Sequence, residues 1–346
     1  MLTLGRTRAA LERANAAGAQ LAVARRGERA ELALGQARPD TPMRTDSIVL
    51  WMSSTKPLMP VALGQLAERG LLGLNDPVAA HVPEFAAAGK GEITLRHLLT
   101  HTAGIPNAHR QWSRETWDEI LAKICAAAPE PDRRLGVDCE YHVASAWYVL
   151  GEIVRRRDGR SYSDYVREAI FAPLGTSDFW VGMSAEDYAA QRARIARPHE
   201  FWAWNGSAEG MAVCRPGGSG WGTARALAAF YAALAGGGAP LLRGETLESL
   251  SACALRGVSD RGLGLTLNRG LGFVLDSKEH GPGSAWYGPR SSPRAFGHAG
   301  FGCSVAFADP AHDLAVALAW NGFVSEPENR ARIAPVLEAV YDDLGL

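Results

Sequence analysis

The sequence predicts an α+β fold, in which one antiparallel sheet flanked by terminal helices carries a mostly helical inserted region. Three observations lead there: strand patterns at both ends of the chain, an amphipathic helix pattern at each terminus, and a run of helix signals between them.

Residues 4–17 space their apolar side chains as an amphipathic helix does. Two strands follow, AQLAVARR and RAELALGQ, which turn at Gly27 and Glu28. From Ser53 to about Ala208 the pattern changes to helices punctuated by Gly and Pro, at 55–70, 94–101, 114–127, 143–157 and 161–171. The Gly-rich stretch RPGGSGWG then enters a helix over 223–235. Beyond it lie the strand GLGFVLD, the strands SVAFAD and LAVALAWN joined by the loop PAHD as a hairpin, and a helix over 327–344. Strands from both ends can share one sheet, so residues 1–47 and 215–346 are expected to form a sheet domain. Residues 48–214 are expected to form a helical domain, with the active site at the junction.

A chain of 346 residues with 47% apolar side chains can bury a large core unaided. Its net charge of −1, with both signs interspersed, offers no basic face to nucleic acid and points to a small-molecule partner. The first twenty residues lack the continuous apolar run of a secretion signal or membrane anchor, so the expectation is a cytoplasmic protein with no membrane partner. Oligomeric state is not legible. Five cysteines at wide intervals suit buried thiols better than a disulfide framework or a metal site.

The segment DSIVLWMSSTKPLMPVALGQLAERG places a Ser-Ser-Thr cluster and Pro57 at a helix start. Helix capping alone accounts for those residue types. A further relation holds between Ser53 and Lys56: three residues apart at a helix start, they lie on one face, within reach of each other. The positive end of the helix dipole favours an alkoxide on Ser53 and disfavours a proton on Lys56. No other Ser-x-x-Lys occurs among the four lysines of the chain. Arginine, which supplies most of the remaining positive charge, cannot act as a base.

Several words, in order, resemble the serine β-lactamase and penicillin-binding-protein superfamily, especially its class C β-lactamase and family VIII carboxylesterase branch. They are Ser53-Ser54-Thr55-Lys56 for S-x-T-K, GLLGLNDPVAAHVPEF, ITLRHLLTHTAGIP, and GHAGFGCSVAFADP followed by AVALAWNG. The likeness spans nearly the whole chain and implies a β-lactamase/transpeptidase-like fold. It also implies catalysis by Ser53, Lys56 and Tyr141, the last from CEYHVASAWYVLGEIV, where Tyr141-His142-Val143 is the best match to Y-x-N. A phenol and an amine of similar intrinsic pKa exchange a proton cheaply. Val143 departs from the motif, and Ser145 is the candidate replacement for the missing amide.

The third motif, K-T-G in the lactamases, reads His298-Ala299-Gly300 here. The resemblance places an oxyanion hole at the backbone N–H groups of Ser53 and Phe301, with Gly300 allowing close approach of the strand. His298 has three open roles: substrate contact, tuning of proton transfer, or packing. Trp112, Trp202, Trp204, Trp221 and Trp286 fall in loop-like segments, where they either line an apolar acyl pocket or pack between regions. Trp202 and Trp204, in Phe201-Trp202-Ala203-Trp204, are the substrate-binding candidates.

Other signals weigh less. His97 and His101 have a spacing that could bind zinc, but they sit inside the word HLLTHTAGI without a His-Glu pair, and no metal or cofactor is expected. No G-x-S-x-G elbow occurs, and GGSGWG fits neither a Rossmann nor a P-loop pattern. Acyl transfer through an acyl-enzyme is therefore the expected chemistry. Ala299 cannot supply the motif's hydroxyl, which favours a carboxylesterase on small or apolar esters over a β-lactamase. Acyl transfer and amide hydrolysis of the D-aminopeptidase type are alternatives, as is a non-catalytic ligand-binding member of the fold.

Overall fold

A computed structural model describes residues 2–14, 17–107, 115–197 and 204–346. Twelve strands are present among them: β1 (Gly18–Arg25), β2 (Glu28–Arg38), β3 (Thr41–Pro42), β4 (Val49–Leu50), β5 (Phe179–Val181), β6 (Gly220–Gly222), β7 (Leu255–Asp260), β8 (Leu265–Arg269), β9 (Val274–Leu275), β10 (Phe296–Gly300), β11 (Ser304–Asp309) and β12 (Leu314–Trp320). Nine of them form one antiparallel sheet in the order β3-β2-β1-β12-β11-β10-β9-β8-β7. The first strand pairs with the last, Leu21 opposite Leu318 and Val23 opposite Val316. The two ends of the chain thus meet in the middle of the sheet.

Alternation along these strands sorts the two faces by size. Leu21, Val23, Val305, Phe307, Val316 and Leu318 face the terminal helices Gly5–Arg13 and Glu326–Asp343. Ala22, Ala24, Ala306, Ala308, Ala315, Ala317 and Ala319 belong to the opposite core, with the Ala-rich helix Ala224–Ala235 and the helical region. Small side chains on one face let that helix approach closely, while branched ones fill the wider gap on the other.

The helical region carries Leu58–Glu68, Leu95–Leu99, Trp117–Ala126 and Ser145–Asp158. A second sheet, β4-β6-β5, joins strands from either side of position 215. Several sequence expectations shift. The helix expected over 55–70 is a 3₁₀ turn, Met52–Thr55, followed by an α-helix, Leu58–Glu68. Pro57 and Pro60 lack the N–H groups that α-helical geometry would direct at the carbonyls of Ser53 and Lys56. Those carbonyls instead accept from Lys56 N and Met59 N, three residues on. The strand GLGFVLD shortens to Val274–Leu275, and the β7–β8 hairpin and the helix Gly244–Ser251 add elements that the sequence reading lacks.

Candidate active site

The 3₁₀ turn Met52–Thr55 is clamped between the two sheets. Trp51 N donates to Gly220 O (2.9 Å), Trp51 Nε1 to Gly222 O (3.0 Å), and Gly220 N to Thr55 Oγ1 (3.0 Å). On the other side Ser54 Oγ donates to His298 O (3.1 Å), and Ser304 Oγ donates to Trp51 O (2.7 Å). Met52 sits in the left-handed region at φ 48°, a conformation that costs about 1–3 kcal/mol for a residue with a side chain. These ties on both flanks hold it there and leave Ser53 half-buried.

Lys56 is fully buried, and its Nζ lies 3.1 Å from Ser53 Oγ, 3.1 Å from Val143 O and 2.7 Å from Gly217 O. Its Nζ stands 4.8 Å from the Tyr141 ring centre and 5.2 Å from that of Trp147. Burial, with repulsion from Arg269 added, holds the amine well below the ordinary lysine range. A neutral amine has two N–H bonds and one lone pair. With the two carbonyls taking the N–H bonds, the lone pair is left for the Ser53 hydroxyl to donate into.

Tyr141 meets Ser53 from a separate segment. Burial drives its phenol pKa well up, and a hydrogen bond with Ser53 pulls it partly back. Its backbone is held from below: Tyr141 N donates to Asp260 Oδ1 (3.1 Å), and the next amide, His142 N, donates to His101 Nδ1 (2.8 Å). Val143 N donates to Asn107 Oδ1 (2.9 Å). His101, at φ 61°, also lays its ring 4.9 Å from that of Tyr141. The word HLLTHTAGIP therefore contributes a support for the tyrosine loop. His97 serves its own helix, with Nδ1 accepting from Thr94 N (3.2 Å).

The strand β10 forms the opposite wall. A Cβ on Gly300 would lie 2.2 Å from Ser304 Oγ and 2.3 Å from Trp51 O, so only glycine lets the strand pass so close to the serine turn. Phe301 follows immediately and is half exposed. His298 is buried between Tyr141 (5.9 Å between ring centres) and Trp286 (5.4 Å), with Nδ1 donating to Ala299 O (2.6 Å). Its burial keeps it neutral, well below the usual histidine range. Ala299 is half-buried on the same strand.

The structure does not bring every candidate to the serine. Ser145, at the start of the helix Ser145–Asp158, donates its hydroxyl to Pro106 O (2.7 Å), and the bonds to Lys56 come from the main chain of Val143 and Gly217. Trp204 is partly exposed beneath Arg215, at 5.2 Å. Trp202 and Trp112 lie outside the described residues. Trp221 is buried in β6, opposite Trp180. Sequence reasoning missed Trp147, Asn107, Gly217, Asp260 and Arg269. Only Gly217, within RPGGSGWG, lay in a segment that composition had marked.

The family model described as Beta-lactamase matches residues 6–341. The chain is 28% identical over 318 residues to the esterase/beta-lactamase LipL of Mycobacterium tuberculosis, a match covering 82% of this chain and 71% of that protein. Among solved structures, a penicillin-binding protein homolog from Caulobacter crescentus superposes with a TM-score of 0.82 at 30% identity, covering 97% of both chains. A family VIII carboxylesterase superposes with the same TM-score at 27% identity, covering 98% of this chain and 97% of that one.

Proposed function

This chain belongs to the β-lactamase family, and from that premise we propose that it is a serine hydrolase acting through an acyl-enzyme, a carboxylesterase for small or apolar esters. One observation carries the reading: the two titratable groups that meet Ser53 are pushed in opposite directions, the Lys56 amine down and the Tyr141 phenol up. At neutral pH that leaves a base without its proton beside an acid that keeps its own, the division of labour acyl transfer needs.

The steps follow. Ser53 Oγ passes its proton to Lys56 Nζ and attacks the ester carbonyl carbon, while the N–H groups of Ser53 and Phe301 receive the developing oxyanion. As the intermediate collapses, the Tyr141 phenol protonates the departing alkoxide and recovers a proton from Lys56. Water then attacks the acyl-enzyme, its proton returning through the same groups, and Ser53 leaves with a proton restored.

Esters are favoured over β-lactams by the chemistry of β10. Where a lactamase motif has lysine and threonine, this strand has a neutral buried His298 and a methyl on Ala299, which cannot grip a substrate carboxylate. The test compares hydrolysis of p-nitrophenyl butyrate with that of nitrocefin, and maps a fluorophosphonate adduct by peptide mass spectrometry. An adduct on Ser53 with faster ester turnover is expected. Faster nitrocefin turnover would replace esterase by lactamase, and no adduct would leave a ligand-binding protein.

A further inference from the structure

The β7–β8 hairpin carries a buried ion pair that the proposed chemistry does not use directly. Asp260 is fully buried at the end of β7, and Arg269, 2% exposed at the end of β8, donates to its Oδ2. Burying two charges costs more than an exposed pair returns, and apolar residues of similar shape often serve stability as well. A reason beyond stability is therefore to be sought in what the pair touches.

It touches the tyrosine segment. Asp260 Oδ1 accepts from Tyr141 N (3.1 Å) and also from Gly262 N (3.0 Å) and Leu263 N (3.1 Å), which lock the hairpin tip around it. Cys139 pairs with Asp260 as an isolated parallel bridge, Arg261 N donates to Cys139 O (3.1 Å), and Cys139 Sγ reaches Asp260 Oδ2 at 3.5 Å. Residues 139–141 are thus docked onto the hairpin, with one carboxylate as the hub.

We infer that Asp260 and Arg269 are positioning residues for the acyl-transfer reaction, fixing the Tyr141 loop at the height where the phenol meets Ser53 and Lys56. The assignment rests on the proposed role of Tyr141. Arg269 has a second effect, on the amine. The groups around Lys56 that can carry positive charge are His101, His142, His298 and Arg269. The three histidines are held neutral by burial, so the positive charge that disfavours a proton on Lys56 is the guanidinium's, opposed by the Asp260 carboxylate, which is engaged with the guanidinium and with Tyr141 N.

The test removes both charges and the acceptor together, as Asp260→Leu with Arg269→Met, so that neither charge is left buried alone and Tyr141 N loses the oxygen that holds it. Displacing a catalytic group slightly lowers turnover steeply, so kcat is expected to fall about tenfold or more with KM changed less than about threefold. The acidic limb of kcat/KM is expected to move up as the amine loses its repulsive neighbour. Arg269→Lys keeps the charge but not the forked geometry, and is expected to give an intermediate kcat with the acidic limb where it stands in the parent. Wild-type kcat in the double variant, judged folded by a cooperative melt, would overturn the inference. Should the double variant not fold, wild-type kcat in Arg269→Lys would do the same. Tyr141→Phe separates the two claims. If it is inactive while the pair variants are normal, only the positioning role fails, whereas full activity in Tyr141→Phe removes the tyrosine and its positioning together.

Discussion

The carbonyl oxygen of Val143 lies 3.1 Å from Lys56 Nζ and accepts one of its N–H bonds. The Val143 side chain itself is 47% exposed and turned to solvent. Position 143 therefore serves the lysine through its main chain, which no substitution that preserves the backbone removes.

Val143→Asn should accordingly leave kcat on p-nitrophenyl butyrate within about threefold of the parent, since the amine already has both of its N–H bonds satisfied. A rise of about a hundredfold, as expected of a restored catalytic contact, would mean that the carbonyls of Val143 and Gly217 are poor substitutes.

Ser53 and Ser54 are adjacent in the chain and differ in circumstance. The Ser54 hydroxyl is fully buried and committed to His298 O and Ser304 Oγ, whereas that of Ser53 faces Lys56 in a half-buried residue. Ser53→Ala should abolish fluorophosphonate labelling. Ser54→Ala should retain the label and lose about 1–3 kcal/mol of stability by denaturant unfolding, because it strips a buried carbonyl of its donor. The opposite pattern of labelling would transfer the nucleophile to Ser54.

Lys56 is a base only when unprotonated, so its lowered pKa extends activity toward acid. A pH profile of kcat/KM should be level through neutral pH and fall only on the acid side. An acidic limb near the ordinary lysine value of about 10 would show that the amine is charged in the folded enzyme.

His142 is buried beside Tyr141, neither ring nitrogen has a hydrogen-bond partner among the described residues, and burial lowers its pKa to about 4. Between that value and about 6.5 the unfolded chain binds a proton that the folded chain refuses, so this residue takes away up to about 1.4 kcal/mol of stability per pH unit as pH falls. His142→Phe should flatten that part of the stability curve in urea melts across pH 4–7. An unchanged slope would place the acid sensitivity elsewhere, with His101 and His298, whose pKa values are shifted in the same direction, as the next residues to test.

Gly300→Ala should both destabilise the protein and reduce acylation, because the added methyl meets Ser304 Oγ and Trp51 O well inside contact distance. Relief requires β10 to move away from the serine turn, at about 1–3 kcal/mol for overpacking of this kind. A variant with the parent's melting temperature and labelling rate would show that the turn yields freely.

The amino-acid sequence by itself determined the features that are short in range or periodic. Ser53 and Lys56 are three residues apart, so a single turn brings them together. Alternating small and large residues in AVALAW and SVAFAD decide which faces of the strands meet which helices. Tertiary structure alone decided which backbone oxygens receive the lysine amine, from 87 and 161 residues away, and that a hairpin carboxylate 119 residues from Tyr141 holds its amide. Peptide carbonyls and amides are the same at every position and leave no mark in residue identity. Their use as ligands depends on long-range docking of segments, which local pattern does not encode.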